Sequence, residues 1–143
     1  MKVFFDTSVL VAAMVKSHPM HQRAFPWYLK SRRGEIEMAV AAHGLAETYA
    51  CLTTYPSRPR ISPVAAMALL RESIVRTSTV VSLDGRDYLE ALDMVSDKGR
   101  GGGSVYDALH VIAAEKNGAD LVLSFNRKHF EPLLRPGQRF IEP

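Results

Sequence analysis

Four short apolar runs, at residues 3–5, 36–41, 79–83 and 121–125, recur along the chain with helix-length stretches between them. Short runs that are mainly apolar or β-branched suit strands buried on both faces, the situation of a parallel sheet. Parallel neighbours cannot be joined by a tight turn and need a crossover, usually a helix. The alternation therefore specifies an α/β fold: a three-layer α/β/α sandwich with a mostly parallel central sheet. A final short strand is expected at residues 140–141.

The intervening stretches carry helix punctuation. A helix over residues 7–16 has Asp6 or Thr7 available as its cap. Pro19 opens a second helical stretch that Gly34 ends, and Pro26 is expected to kink or divide it. Helices follow at 43–54, at 63–75 with Ser62 ahead of Pro63, at 84–97, at 104–118 and, briefly, at 129–134. Residues 55–60 read as a loop rich in Pro and Arg. Gly99-Arg-Gly-Gly-Gly103 reads as a mobile one, with four glycines in five residues. Neither an internal repeat nor a linker is visible, so residues 1–143 are read as a single domain.

Composition narrows the function classes. With 47% hydrophobic and 23% charged residues the chain is of ordinary globular make-up, not that of a disordered segment. A lone Cys51 excludes an internal disulfide and a cysteine-based zinc site, in keeping with a reducing compartment. No apolar stretch approaches the roughly 20 residues of a membrane span, and Asp6 interrupts the first apolar run too early for a signal peptide. A cytoplasmic protein without membrane attachment is expected. The net charge of +3 is compatible with a polyanionic partner without requiring one.

In an open parallel sheet, ligands bind at the carboxyl ends of the strands, where the crossover helices begin. Asp6 ends the first strand, and Asn126 closely follows the strand at 121–125. Glu47 lies in the first turns of the helix after the second strand, and Asp107 in the first turn of the helix before the strand at 121–125. All four side chains are thus predicted to meet at one edge. Two carboxylates about 4 Å apart repel by roughly 4 kcal/mol at an effective dielectric near 20, and a divalent cation reverses that sign. Oxygen ligands without cysteine favour Mg²⁺ or Mn²⁺ over zinc. Such an ion activates water and offsets phosphate charge in hydrolysis. Each acid also has a local explanation. Asp6 suits a helix cap, Ser104-Val-Tyr-Asp107 has the outline of a capping box, and Glu47 suits a solvated helix face.

At these residues the sequence resembles the PIN-domain nucleases, and among them the VapC-type toxins of toxin–antitoxin pairs. Phe4-Phe-Asp6-Thr-Ser8-Val-Leu is similar to the family's opening strand and first acid, and Leu45-Ala-Glu47 to its second acidic position. Gly103-Ser-Val-Tyr-Asp107-Ala-Leu-His110, followed by Gly118-Ala-Asp-Leu-Val-Leu-Ser-Phe-Asn126-Arg-Lys-His-Phe130, is the most specific part of the match. The resemblance implies a Mg²⁺- or Mn²⁺-dependent endoribonuclease, usually dimeric and neutralised by a cognate antitoxin. It implies Asp6, Glu47 and Asp107 as catalytic metal-site residues and Ser8 as a supporting polar group. Asn126 stands where many members carry a fourth acid, which leads to one metal ion and a weakened second site.

His110 departs from the family's usual apolar residue and is read as a packed, hydrogen-bonded histidine. His18 and His21 flank Pro19 in poor geometry for a metal pair and are read as surface residues. Arg127, Lys128 and Arg100 are the candidate phosphate contacts; Arg58 and Arg60 are read as solvated charge. Trp27 and Tyr28 are read as packing in the core or in a dimer interface, not as stacking on bases. A haloacid dehalogenase-type phosphatase needs a second acid two residues after the first, where this chain has Ser8. A non-catalytic RNA- or protein-binding module and a structure-specific DNA nuclease remain as alternatives.

Overall fold

A computed structural model describes residues 1–143. Strands β1 (Lys2–Phe5), β2 (Glu37–Ala41), β3 (Ser78–Val81), β4 (Leu121–Leu123) and β5 (Arg139–Ile141) form one sheet in the order β3-β2-β1-β4-β5. Every neighbouring pair is parallel. The helices are α1 (Thr7–Met14), α2 (His21–Arg32), α3 (Ala42–Thr54), α4 (Pro63–Leu69), α5 (Gly85–Asp97), α6 (Ser104–Asn117) and α7 (Arg127–Phe130).

Strand side chains alternate between two cores. Val3, Phe5, Met38, Val40, Leu121 and Leu123 pack with α1 and with Ala24 of α2 on one face. Phe4, Ala39, Ala41, Val81 and Val122 pack with α5 and α6 on the other. Because both faces are covered, consecutive strand positions are apolar, and the expected three-layer sandwich results. β1 lies at the centre. The chain steps from β1 through β2 to β3 on one side, then crosses to β4 on the other. The crevice between β1 and β4 is therefore a topological switch point, where open α/β sheets bind ligands.

Three local expectations differ from what is found. Pro26 neither divides nor ends α2, which runs unbroken from His21 to Arg32. Pro26 and Gln22 are both exposed, so water can reach the carbonyl that the missing N–H leaves unpaired. The helical path from Pro63 changes pitch, passing from α4 through a π turn at Leu70–Ile74 to a 3₁₀ turn at Val75–Thr77. β4 stops at Leu123, two residues early, because Ser124 and Phe125 turn their polar groups toward the β1 end. No helix is long and apolar enough to cross a membrane.

Phe4 is completely buried in the central strand and meets the His110 ring edge-on, with centroids 5.9 Å apart. Phe4→Ala is expected to lower unfolding stability by about 3–5 kcal/mol, read as a shifted midpoint in urea denaturation.

Candidate metal centre

Asp6 stands at the carboxyl end of β1 and is only 3% exposed. It caps α1, its Oδ2 accepting from the Ser8 backbone N–H at 3.3 Å. The same oxygen accepts from Ser8 Oγ at 2.7 Å and from Ser124 Oγ at 2.9 Å. Both hydroxyls also accept, Ser8 Oγ from Phe125 N at 3.1 Å and Ser124 Oγ from Asn126 N at 3.0 Å. The cap and the functional reading of Asp6 are therefore compatible: Oδ2 does the structural work and Oδ1 faces the other acids.

Glu47 reaches the same edge from α3. Its Oε1 lies 3.2 Å from His110 Nε2 and 3.4 Å from His43 Nε2, and its Oε2 accepts from Thr7 Oγ1 at 3.5 Å. The solvated-face reading fails for this half-buried residue. His110, on α6, is 1% exposed, and its Nε2 also lies 3.5 Å from Asp6 Oδ1. It is packed and hydrogen-bonded, as its sequence position suggested, but its partners are the acids themselves. Its Nδ1 is buried without a hydrogen-bond partner, so polar contacts hold the ring through Nε2 alone. α3 can come this close because residue 44 is glycine. A Cβ there would stand 3.1 Å from His110 Cε1.

Asp107 occupies the first turn of α6 without capping it. The N-cap is Gly103, and no side chain makes a capping hydrogen bond, so the capping-box outline is not used. The Asp107 Oδ2 lies 3.4 Å from Nδ1 of the exposed His129. Asn126 makes no side-chain cap of α7. Asp6, Ser8, Glu47, Asp107 and Asn126 line one open cavity of about 600 Å³, whose far wall includes Tyr55 and His18.

The electrostatics are those of an uncompensated acidic edge partly offset by imidazole. Burial raises the Asp107 carboxyl above the usual range, and the charge of Asp6 raises it further against the opposing His129 and His110. Burial also acts to raise Glu47, yet hydrogen bonding and charge from His110, with His43 and Thr7, bring it below its ordinary value. Burial acts to lower His110, but the Glu47 hydrogen bond and the charges of Asp6, Glu47 and Asp107 raise it. His43 is lowered to about 4 by burial and by the neighbouring His110. Asp6 Oδ1 has no hydroxyl donor, and Asp107 is destabilised as an anion. Those are the features expected where a divalent cation fits.

The basic candidates separate. Arg127 is paired with Glu131 and with Glu142 at 3.4 Å, and its guanidinium lies 4.9 Å from the Phe140 ring centroid. Lys128 is exposed beside Asn126 in an adjoining depression. Arg100 does not line the acid cavity, and Arg58 and Arg60 are exposed. His18 and His21 are not free surface groups. His18 Nδ1 accepts from Met20 N at 3.0 Å and its ring stacks on Tyr55, while His21 Nδ1 bonds the Ala12 carbonyl at 2.9 Å. Half-buried Trp27 and Tyr28 pack against the core, the first of their two expected placements. Sequence reasoning missed Thr7, His43, Ser124 and His129. Only His43 had a local signal, one helical turn before Glu47.

A carboxyl raised in the folded state gives stability that is lost as pH rises through its folded value, so ionised Asp107 opposes folding at neutral pH. In EDTA at pH 7, Asp107→Asn is expected to melt at or above wild type by calorimetry. A marked drop in Tm would assign the carboxylate to packing instead.

Comparison with known proteins identifies the family of the fold that carries this site. Residues 3–132 match the family model described as PIN domain. The chain is 34% identical over 116 residues to ribonuclease VapC27 of Mycobacterium tuberculosis, covering 81% of this chain and 79% of that one. It is 36% identical over 117 residues to ribonuclease VapC40 of the same species, covering 82% and 81%. Among solved structures, M. tuberculosis VapC20, a sarcin-ricin loop cleaving toxin, superposes with a TM-score of 0.69 at 20% identity over 89% of this chain and 92% of that one. FitAcB from Neisseria gonorrhoeae gives 0.69 at 14% identity, covering 98% and 96%. The chain belongs to the PIN-domain family, within its VapC type.

Proposed function

We propose that this chain is a divalent-metal-dependent endoribonuclease, the toxin of a toxin–antitoxin pair. The observation that carries the reading is the convergence of Asp6, Glu47 and Asp107, from β1, α3 and α6, on one cavity. There burial, and after it the charge of Asp6, raise the Asp107 carboxyl. Proteins that share the fold and family are named as ribonucleases, which supports RNA as the substrate class.

In this reading Asp6 Oδ1 and Asp107 are the principal ligands for Mg²⁺ or Mn²⁺, and Asn126 offers an amide oxygen at the cavity rim. A bound divalent ion supplies the charge that activates water and offsets phosphate. Ser8 and Ser124 fix the Asp6 carboxylate by occupying its Oδ2. Glu47, held between Thr7 and His110, stands ready to order water or accept a proton at Oε1 or Oε2. Lys128 is the favoured phosphate contact, since it records no carboxylate partner whereas Arg127 has two. A cognate antitoxin, a homodimeric state and action in the cytoplasm belong to the same proposal. The fold likeness to VapBC2 from Rickettsia felis, TM-score 0.63, supports the antitoxin partner.

The test is cleavage of a mixed RNA pool by purified, antitoxin-free protein with Mn²⁺, with Mg²⁺ and with EDTA. Discrete metal-dependent fragments are expected. Asp107→Asn is expected to lose more than about 100-fold in rate, beyond the typical effect of outer-shell changes. Equal cleavage by the two proteins would defeat the reading.

A further inference from the structure

The two imidazoles at the acid edge alter its donor chemistry. His43 and Glu47 lie on successive turns of α3, and His110 comes from α6 in the opposite helical layer. One ligand atom from each of the three lies within 4.8 Å of the others. His43 Nε2 stands 3.4 Å from Glu47 Oε1, and His110 Nε2 stands 3.2 Å from that oxygen and 3.5 Å from Asp6 Oδ1. Zinc bonds to nitrogen and oxygen of about 2.0–2.1 Å put tetrahedral ligands roughly 3.3 Å apart. The two separations from the imidazoles to Glu47 Oε1 match that edge length. They are also longer than good charge-assisted hydrogen bonds.

A second observation points to a ligand. His43 Nε2 is buried and has no hydrogen-bond partner, an arrangement native structures seldom leave unexplained. Glu47 opens this cluster to the acid cavity, so an ion has a route in. Mg²⁺ seldom takes nitrogen ligands, whereas imidazole suits zinc, cobalt and nickel. The preference for Mg²⁺ or Mn²⁺ over zinc was drawn from an oxygen-only donor set, and the donors present at this corner are mixed.

We propose that His43, Glu47 and His110 form a nitrogen–oxygen site for a transition metal ion of the zinc type, with the fourth position open to water. This site shares Glu47 with the hard-cation position beside Asp6 and Asp107. Two dications drawing on the same carboxylate compete, so zinc at this corner withdraws Glu47 from the Mg²⁺ position and turns the nuclease off. That last consequence rests on the ribonuclease reading; ion binding itself does not.

The experiment titrates Zn²⁺ and, separately, Mg²⁺ into metal-free full-length protein by calorimetry, with Co²⁺ absorption as a report of coordination geometry. One Zn²⁺ per chain is expected, at least about 100-fold tighter than Mg²⁺. His43→Gln, which keeps a polar side chain at a position 16% exposed, is expected to weaken Zn²⁺ by about 10-fold or more. It is also expected to abolish the visible bands of tetrahedral Co²⁺. Asp107→Asn is expected to leave Zn²⁺ binding intact while removing RNA cleavage. Zn²⁺ affinity unchanged in His43→Gln, lost in Asp107→Asn, or no greater than that for Mg²⁺ would each overturn the site. Where wild-type protein fails to cleave RNA, the ribonuclease reading falls while the calorimetry still decides the metal site.

Discussion

The buried carboxylate of Asp6 is the joint on which the rest of this edge turns. An anion removed from water at the end of a central strand must be met by donors, and three of them converge on a single oxygen. Two of the donors belong to Ser8 of the helix that Asp6 caps, and the third, Ser124, lies 118 residues away after β4. The two serines hand the bonding on to the backbones of Phe125 and Asn126, so the turn after β4 is held by the same carboxylate. With Oδ2 so committed, Oδ1 has one direction left, toward His110. Helix start, strand-end spacing and site geometry thus follow from one side chain.

The layered fold was legible because its physical cause is local. Strands covered on both faces read as mainly apolar runs, and the residues around Val3, Val40 and Val122 do so clearly, whereas the edge strand around Val80 is interrupted by Thr79 and Ser82. The convergence of Asp6, Glu47 and Asp107 was legible too, since a parallel sheet puts strand ends and helix starts at one edge. Contacts within the edge were not. The His110–Glu47 pair spans 63 residues and Thr7–His110 spans 103, and nothing near either position in the sequence announces the other. Pro26 misled because its cost depends on exposure of one carbonyl, which is a tertiary property. The pairing of Arg127 was only half legible: Glu131 lies four residues on, within local reach, whereas Glu142 lies on a segment whose placement the fold decides.

The charge balance of the edge is subtler than a count of acids suggests. His110 is drawn toward its cationic form by three carboxylates, and the neighbouring His43 is driven toward neutrality, its ring centroid 4.5 Å away. The pair therefore favours carrying one proton, not two, a usual outcome for like groups in close contact. That proton offsets part of the repulsion that three gathered carboxylates would otherwise impose on the fold. The close approach depends on the bare Cα of Gly44, which connects backbone composition in α3 to electrostatics in α6.

Seating the edge on both helical layers has a consequence in time. Asp6 and Glu47 leave the ribosome early, whereas Asp107, His110 and Ser124 lie in the last third of the chain. Sheets assembled from such distant segments form late, because loop closure precedes the contacts that reward it. A nascent chain that has not yet threaded α6 and β4 beside β1 lacks Asp107 altogether and has no second wall for its cavity. Any chemistry seated at this edge is switched on by completion of synthesis and folding, and the interval before that is silent.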